Sequence, residues 1–227
     1  PVVRDYAYSE SDLLFLLAHD SDPFNRWEAG QRLFAQLIRA AVARLAQGLA
    51  PQWPDSLLAA VRKVLLGNGD PAFIAEALTL PGEATLAEQM EVVDPEVLYQ
   101  ARSALARFVA QGLASEFAEC YAALAPRVAY VADTVQAGGR RLRNLCLSYL
   151  NELDEPAYRA LARQQFEQAD NMTDQFAALS VLVNASGEEG DAALDAFYAR
   201  WQGEALVVDK WLSVQAASRL PATRARV

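Results

Sequence analysis

The chain has 227 residues and carries 29 acidic against 20 basic side chains, a net charge of −9. No run of Lys or Arg makes a phosphate-binding stripe beyond the short Arg140-Arg141 and Arg143 group, so nucleic acid is not an expected partner. Hydrophobic residues make up 53% of the chain, ample for a packed core, and no apolar stretch nears the roughly 20 residues needed to span a membrane.

Residues 1–8, PVVRDYAY, alternate loosely and show no helix signal. They read as a connector or as the last strand of an upstream domain. Ser9 or Ser11 then caps a short helix carrying Leu13, Leu14, Leu16 and Leu17. The turn Asp20-Ser21-Asp22-Pro23 ends it and opens the next, with Asp22 or Ser21 as cap and Pro23 in the first helical turn. That helix is amphipathic, with Phe24, Trp27, Phe34, Leu37, Ile38, Ala41, Val42 and Leu45 at spacings of three and four. Gly48 closes it, and Pro51 and Pro54 mark a loop.

Asp55 or Ser56 opens a helix through Leu65 that stops at Gly67-Asn68-Gly69. Asp70-Pro71 opens another, ended by Pro81-Gly82. Thr85 begins a short one. Asp94-Pro95 begins the longest, expected to run to about Ala125 and to reach roughly 45 Å, with Gly112 as a point of interruption. From Asp133 onward, helices of about 12–15 residues follow one another with very short links, as antiparallel helix pairs do. No segment after residue 8 makes a period-two strand, so the expected fold is all-α.

A degenerate repeat runs through the C-terminal half. Leu142, Leu145 and Tyr149 fall on Phe176, Leu179 and Val183 with a shift of 34, and Phe176 and Leu179 fall on Trp211 and Val214 with a shift of 35. Leu161 and Leu194, on the intervening helices, lie 33 apart. That is the size of a two-helix solenoid unit, and it predicts a HEAT-like superhelical stack of antiparallel helix pairs. The segment 205–217 presents Val207, Trp211 and Val214 on one face, broadened by Leu206, Val208 and Leu212. Such a helix needs cover on more than one side, whereas the chain turns polar from Arg219 and meets Pro221.

Residue chemistry points away from catalysis in this chain. The one histidine, His19, excludes an H-E-x-x-H zinc helix and suits a helix C-terminus. Gly138-Gly139-Arg140-Arg141 lacks the P-loop pattern and reads as a loop and helix start. Asp154-Glu155 and Glu188-Glu189 sit at helix starts, where they offset the dipole. Cys120 and Cys146 are too few for a disulfide scaffold, lack metal spacing, and read as buried thiols of a reducing compartment. Trp27, Trp201 and Trp211 fall on apolar faces, whereas Trp53, between prolines, reads as exposed. In 168–182, "QADNMTDQFAALSVL", Asn171 reads as an N-cap, with Asp174 three residues on closing a capping box and facing the helix dipole.

"NMTDQFAALSVL" (171–182) followed by "LVVDKWLSVQA" (206–216) resembles the C-terminal helical domain of the M1 family of zinc aminopeptidases, of the bacterial aminopeptidase N type. "DSDPFNRWEAGQRL" (20–33) and "GGRRLRNLCLSYL" (138–150) fit the same domain. The resemblance implies that residues 1–8 leave a β-sandwich domain and that 9–227 are the first two-thirds or so of the helical domain, truncated at its C-terminal end. It implies a cytoplasmic parent enzyme that removes N-terminal residues from peptides. Its Zn²⁺ would be held by H-E-x-x-H plus a downstream Glu, and the substrate amine by a G-A-M-E-N loop, in a catalytic domain of the same polypeptide. None of those motifs is in this chain, so no catalytic, cofactor-binding or metal residue is expected here. The domain would cover the active site and restrict access to peptides. The competing reading is a self-standing HEAT-like module that binds a protein partner along a groove.

Overall fold

A computed structural model describes residues 7–185, 188–220 and 223. Among these it places twelve helices and no strand: α1 (Glu10–His19), α2 (Pro23–Leu45), α3 (Leu57–Leu65), α4 (Pro71–Leu78), α5 (Glu83–Ala87), α6 (Pro95–Gly112), α7 (Ala114–Ala123), α8 (Thr134–Asn151), α9 (Pro156–Gln168), α10 (Met172–Leu182), α11 (Glu189–Trp201) and α12 (Ala205–Ala216). The all-α expectation holds. The chain divides into two compact units, one up to Glu116 and one from Phe117.

Asp-Pro pairs punctuate the first unit. Asp22, Asp70 and Asp94 each precede a proline, and each carboxylate accepts from backbone N–H groups of the helix it opens, at 2.8–3.2 Å. The proline fills a position whose N–H would otherwise be unpaired. Ser9 forms a complete capping box with Asp12 at the start of α1. Gly48 adopts φ +72° where the chain leaves α2, a conformation that disfavours any residue with a Cβ.

The first unit is built around α2, which packs against α1, α4 and α6, while α3 packs against α1, α4 and α6. Leu33, Phe34 and Ile38 of α2 are buried with Leu17, Leu57, Leu78 and Leu105. Phe24 departs from the expected face. It is 63% exposed, because it follows Pro23 in the first turn, with Trp27 as its ring neighbour. The helix expected to run from 95 to 125 breaks at Leu113, whose φ −133° and ψ 26° leave the helical region. α2, with 23 residues, is therefore the longest helix. Gly112 stands at the break because a Cβ there would run into the Leu58 side chain of α3.

The second unit follows the repeat read from the sequence. α9 packs on both α8 and α10, α8 packs on α10, and α11 packs on α9, α10 and α12. Alternate helices thus contact one another as well as their hairpin partners, the arrangement of a helical-repeat stack. Leu142, Tyr149, Leu179, Val183, Leu194 and Val214 are buried, whereas Leu161 is only partly so, its neighbour Ala162 filling the interior. α8 has 18 residues, longer than the 12–15 expected. On α12 only Val214 is buried, and Leu206 and Leu212 are 80% and 52% exposed. Ala7 and Tyr8 have no regular structure; the remainder of the connector, and Pro221, lie outside the described residues.

Candidate functional site

The stretch that looked most like a site, Asn171 to Asp174, is the edge of a buried polar cluster in the second unit. Asn171 has extended backbone, φ −141° and ψ 153°, and its Oδ1 accepts from the Asp174 N–H at 2.9 Å. It is the N-cap of α10. The capping box does not form. Asp174 turns its carboxylate away from the cap N–H, so Oδ2 accepts from Asn171 Nδ2 at 3.0 Å and Oδ1 from Asn144 Nδ2 of α8 at 2.9 Å. At the same offset Asp12 does close a box with Ser9. The difference is burial. Asp174 is 2% exposed, and a buried carboxylate requires donors for both oxygens.

The cluster continues inward. Gln165 of α9, 3% exposed, donates through Nε2 to Asn144 Oδ1 at 2.7 Å and to the Asp174 carbonyl at 3.0 Å. Its Oε1 accepts from the Tyr121 hydroxyl at 3.0 Å. That hydroxyl in turn accepts from Arg143 Nη2 at 2.9 Å, with the guanidinium 4.3 Å over the Tyr121 ring. Burial pushes the Tyr121 hydroxyl pKa up, opposed by the Arg143 charge and reinforced by Asp174. Gln175, the third buried polar side chain, accepts from Trp201 Nε1 at 3.1 Å. At the solvent edge, the Asp170 carboxyl is held below its ordinary range by the Asn171 side chain and the Tyr130 N–H.

Two cavities flank the cluster. One of about 370 Å³ is lined by Tyr121, Arg143, Gln164, Gln168 and Asp170. The other, about 260 Å³, lies under Leu124, Val128 and Tyr130 and is bounded by Arg140 and Asp174. Arg140 stacks over Tyr130 at 4.8 Å and bonds Gln136. The reading of 138–141 as a loop is corrected: Gly138-Gly139-Arg140-Arg141 lies inside α8, which Asp133 caps by accepting from the Gln136 N–H at 2.7 Å. The cluster's own donors and acceptors largely satisfy one another, so its chemistry is that of a positioned scaffold.

The remaining candidates are dispersed. His19 ends α1, stacked on Phe15 at 4.7 Å and hydrogen-bonded to Lys63 Nζ at 2.8 Å. Glu189, in the first turn of α11, pairs with Arg163 at 3.4 Å. Asp154 has φ 53° and bonds Arg159 at 2.6 Å. Trp53 is not the exposed residue expected: it is partly buried, 6.0 Å from the Phe108 ring. Trp27, Trp201 and Trp211 are partly buried, and Trp211 Nε1 donates to the Leu194 carbonyl. Cys120 and Cys146 are free thiols. Among the described residues no three His, Cys, Asp or Glu gather to hold a metal ion.

Asn144, Gln165 and Gln175 are members of the cluster that no local motif marks. The usable signal was an amide at a helical spacing from core residues: Gln165 sits beside Phe166 and three residues after Ala162, both buried.

A family model described as a domain of unknown function with ARM repeats (DUF3458_C) matches residues 10–227. The chain is 38% identical over 219 residues to an aminopeptidase N of Escherichia coli (strain K12), covering 96% of this chain and 25% of that protein. It is 36% identical over 221 residues to an aminopeptidase N of Haemophilus influenzae, covering 95% and 25%. A crystal structure of Legionella pneumophila aminopeptidase A in complex with aspartic acid superposes with a TM-score of 0.85 at 30% identity, over 98% of this chain and 27% of that one. The chain spans about a quarter of the length of the curated relatives it matches.

Proposed function

Because the chain belongs to the DUF3458_C family of ARM-repeat domains, we propose that it serves as the helical domain of an M1-type zinc aminopeptidase. In this reading residues 1–8 connect it to the preceding domain and 9–227 build the stack. The stack walls off an active site carried elsewhere in the same polypeptide, so that peptides enter and folded proteins do not. Excluding bulk water and large substrates strengthens the electrostatics of a metal site. The chain itself supplies no catalytic, cofactor-binding or metal residue; its partners are the catalytic domain and the peptides that domain cleaves. Its thiols are free, which supports a cytoplasmic setting.

The observation that carries the reading is the likeness to aminopeptidases N along nearly the whole chain. The test uses the full-length polypeptide that contains this sequence. It is expected to bind one zinc ion, to hydrolyse an alanyl chromogenic peptide analogue, and to lose that activity on chelation. The 227-residue chain alone is expected to do neither. A full-length polypeptide with no zinc and no peptidase activity overturns the proposal in favour of an interaction module.

A further inference from the structure

Arg143 carries more hydrogen-bonding capacity than its neighbours use. It is half-buried on α8, with its guanidinium 4.3 Å over the Tyr121 ring. Among the described residues its one hydrogen bond, at 2.9 Å, goes to the Tyr121 hydroxyl, a neutral acceptor. Its Nε–H is buried without an acceptor, and no carboxylate of the described residues pairs with it. A guanidinium has five N–H donors, so most of them are left over. The Tyr121 hydroxyl is itself held by donating to Gln165 Oε1 at 3.0 Å, which fixes the place of the charge.

Arg143 lines the cavity of about 370 Å³ together with Gln168, Asp170 and Asp174. That volume is in the range of small-molecule sites. The two carboxylates differ. Asp174 is 2% exposed, and amide groups of Asn144 and Asn171 take both its oxygens. Asp170 is exposed, with one N–H on each oxygen, from Tyr130 at 2.9 Å and from Asn171 at 3.1 Å. A carboxylate has about four acceptor positions, so Asp170 keeps room for a cation. The cavity thus offers one guanidinium with spare donors and one carboxylate with spare acceptor positions. A phosphate would meet two carboxylates there, whereas a molecule with one charge of each sign meets a partner for both.

Ala125 and Asp170 also line the second cavity, of about 260 Å³. Its wall is apolar at Leu124, Val128 and Tyr130, and Val128 and Tyr130 are 70% and 44% exposed. Apolar surface of that kind gains by being covered. We propose that the two cavities form one binding site for a small zwitterion, a free α-amino acid or a short peptide. Its carboxylate pairs with Arg143, its ammonium with Asp170, and an apolar side chain lies against Val128 and Tyr130. The site is separate from any zinc centre, and the inference is independent of the peptidase reading.

The test is isothermal titration of the folded 227-residue chain with L-leucine and with leucyl-leucine at neutral pH. Saturable binding of one molecule per chain is expected, and the tighter of the two ligands tells a free amino acid from a peptide. The C-terminal amide of that ligand lacks the carboxylate, and its N-acetyl derivative lacks the ammonium. Each should bind at least about tenfold more weakly, as for a lost charge-assisted hydrogen bond. Arg143→Gln should weaken binding by the same factor. Because Arg143 also holds Tyr121, Ala125→Trp is the second variant. Ala125 is exposed and lines both cavities, so the indole fills the site without entering the polar cluster, and binding should be lost. The proposal is overturned if neither leucine nor leucyl-leucine binds, if the amide or the N-acetyl derivative binds as tightly as its parent, or if Ala125→Trp leaves the affinity unchanged. Inorganic phosphate that displaces the ligand at equal concentration also overturns it, because the site would then select negative charge alone.

Discussion

The two compact units solve the same packing problem with different materials. Among the described residues up to Glu116 every fully buried side chain is apolar, among them Leu33, Phe34, Ile38, Leu57, Leu86 and Leu105. From Phe117 onward the interior also holds Gln165, Asp174 and Gln175. Apolar burial is strong but non-directional. A hydrogen bond is directional, and a buried donor or acceptor left unpaired costs more than a made bond contributes. In the second unit, Asn144 on α8, Gln165 on α9 and Asp174 on α10 are all satisfied only when the three helices keep one rotation and one register. A stack of similar hairpins, each able to slide on the next, gains most from such a device.

Deleting a buried ring should show what the units share. Phe34→Ala in the first and Phe197→Ala in the second remove side chains that are each 1% exposed, and each is expected to cost about 3–5 kcal/mol. Urea unfolding followed by tryptophan fluorescence measures both. A loss below about 1 kcal/mol at either position would mean that its interior is not close-packed.

Asp174→Asn separates them. The carboxylate accepts one amide N–H on each oxygen, from Asn144 and from Asn171. An asparagine presents a single oxygen and turns its own NH₂ toward a donor. The expected loss is about 1.5–3 kcal/mol, the range for hydrogen bonds to a charged group, although the substitution is nearly isosteric. The first unit has no buried polar side chain among its described residues where a comparable swap would act. A loss near zero for Asp174→Asn would show that the network decorates the second interior without organising it. Asn171→Ala should cost less, about 1 kcal/mol, as for a lost N-cap. If it instead matches Asp174→Asn, the Asn171 amide is acting through the carboxylate more than through the cap.

The sequence displayed some of this plainly. Asp22-Pro23, Asp70-Pro71 and Asp94-Pro95 announce helix starts because cap and proline act on adjacent residues, with no tertiary partner required. The 33–35-residue period announces the stack because repeated packing demands repeated apolar positions. The break at Leu113 was half legible: Gly112 marks a point of interruption, yet Val109, Ala110 and Leu113 continue an apolar helical pattern across it, and the Leu58 side chain that packs on Gly112 lies over fifty residues away. The cluster was read wrongly at Asp174 for the same reason. Asn171 and Asp174 look like a local capping pair, and nothing near them says that Asn144 waits thirty residues earlier. An amide on a helix reads as surface until its neighbour is known.

The smallest expected effect lies at the solvent edge, where the units should behave alike. In the first, Asp12 is held below its ordinary pKa by the Ser9 side chain and backbone, and Glu116 by Arg62. In the second, Asp170 is held down by the Asn171 side chain and the Tyr130 N–H. A carboxyl depressed on folding binds fewer protons in the folded chain than in the unfolded one, so stability rises with pH through the window. Its contribution is whole above the unfolded value, near 3.9 for Asp and 4.3 for Glu, and is lost as pH falls through the folded value. Asp12 and Asp170 are open to solvent and Glu116 is half-buried, so salt and water screen the two aspartates most. Urea midpoints taken between about pH 6 and about pH 3 should therefore fall on acidification. Asp12→Asn and Asp170→Asn should each flatten the fall slightly. If Asp170→Asn steepens it, or moves the neutral-pH midpoint as far as Asp174→Asn does, then Asp170 belongs to the buried network and the boundary drawn between edge and interior is misplaced.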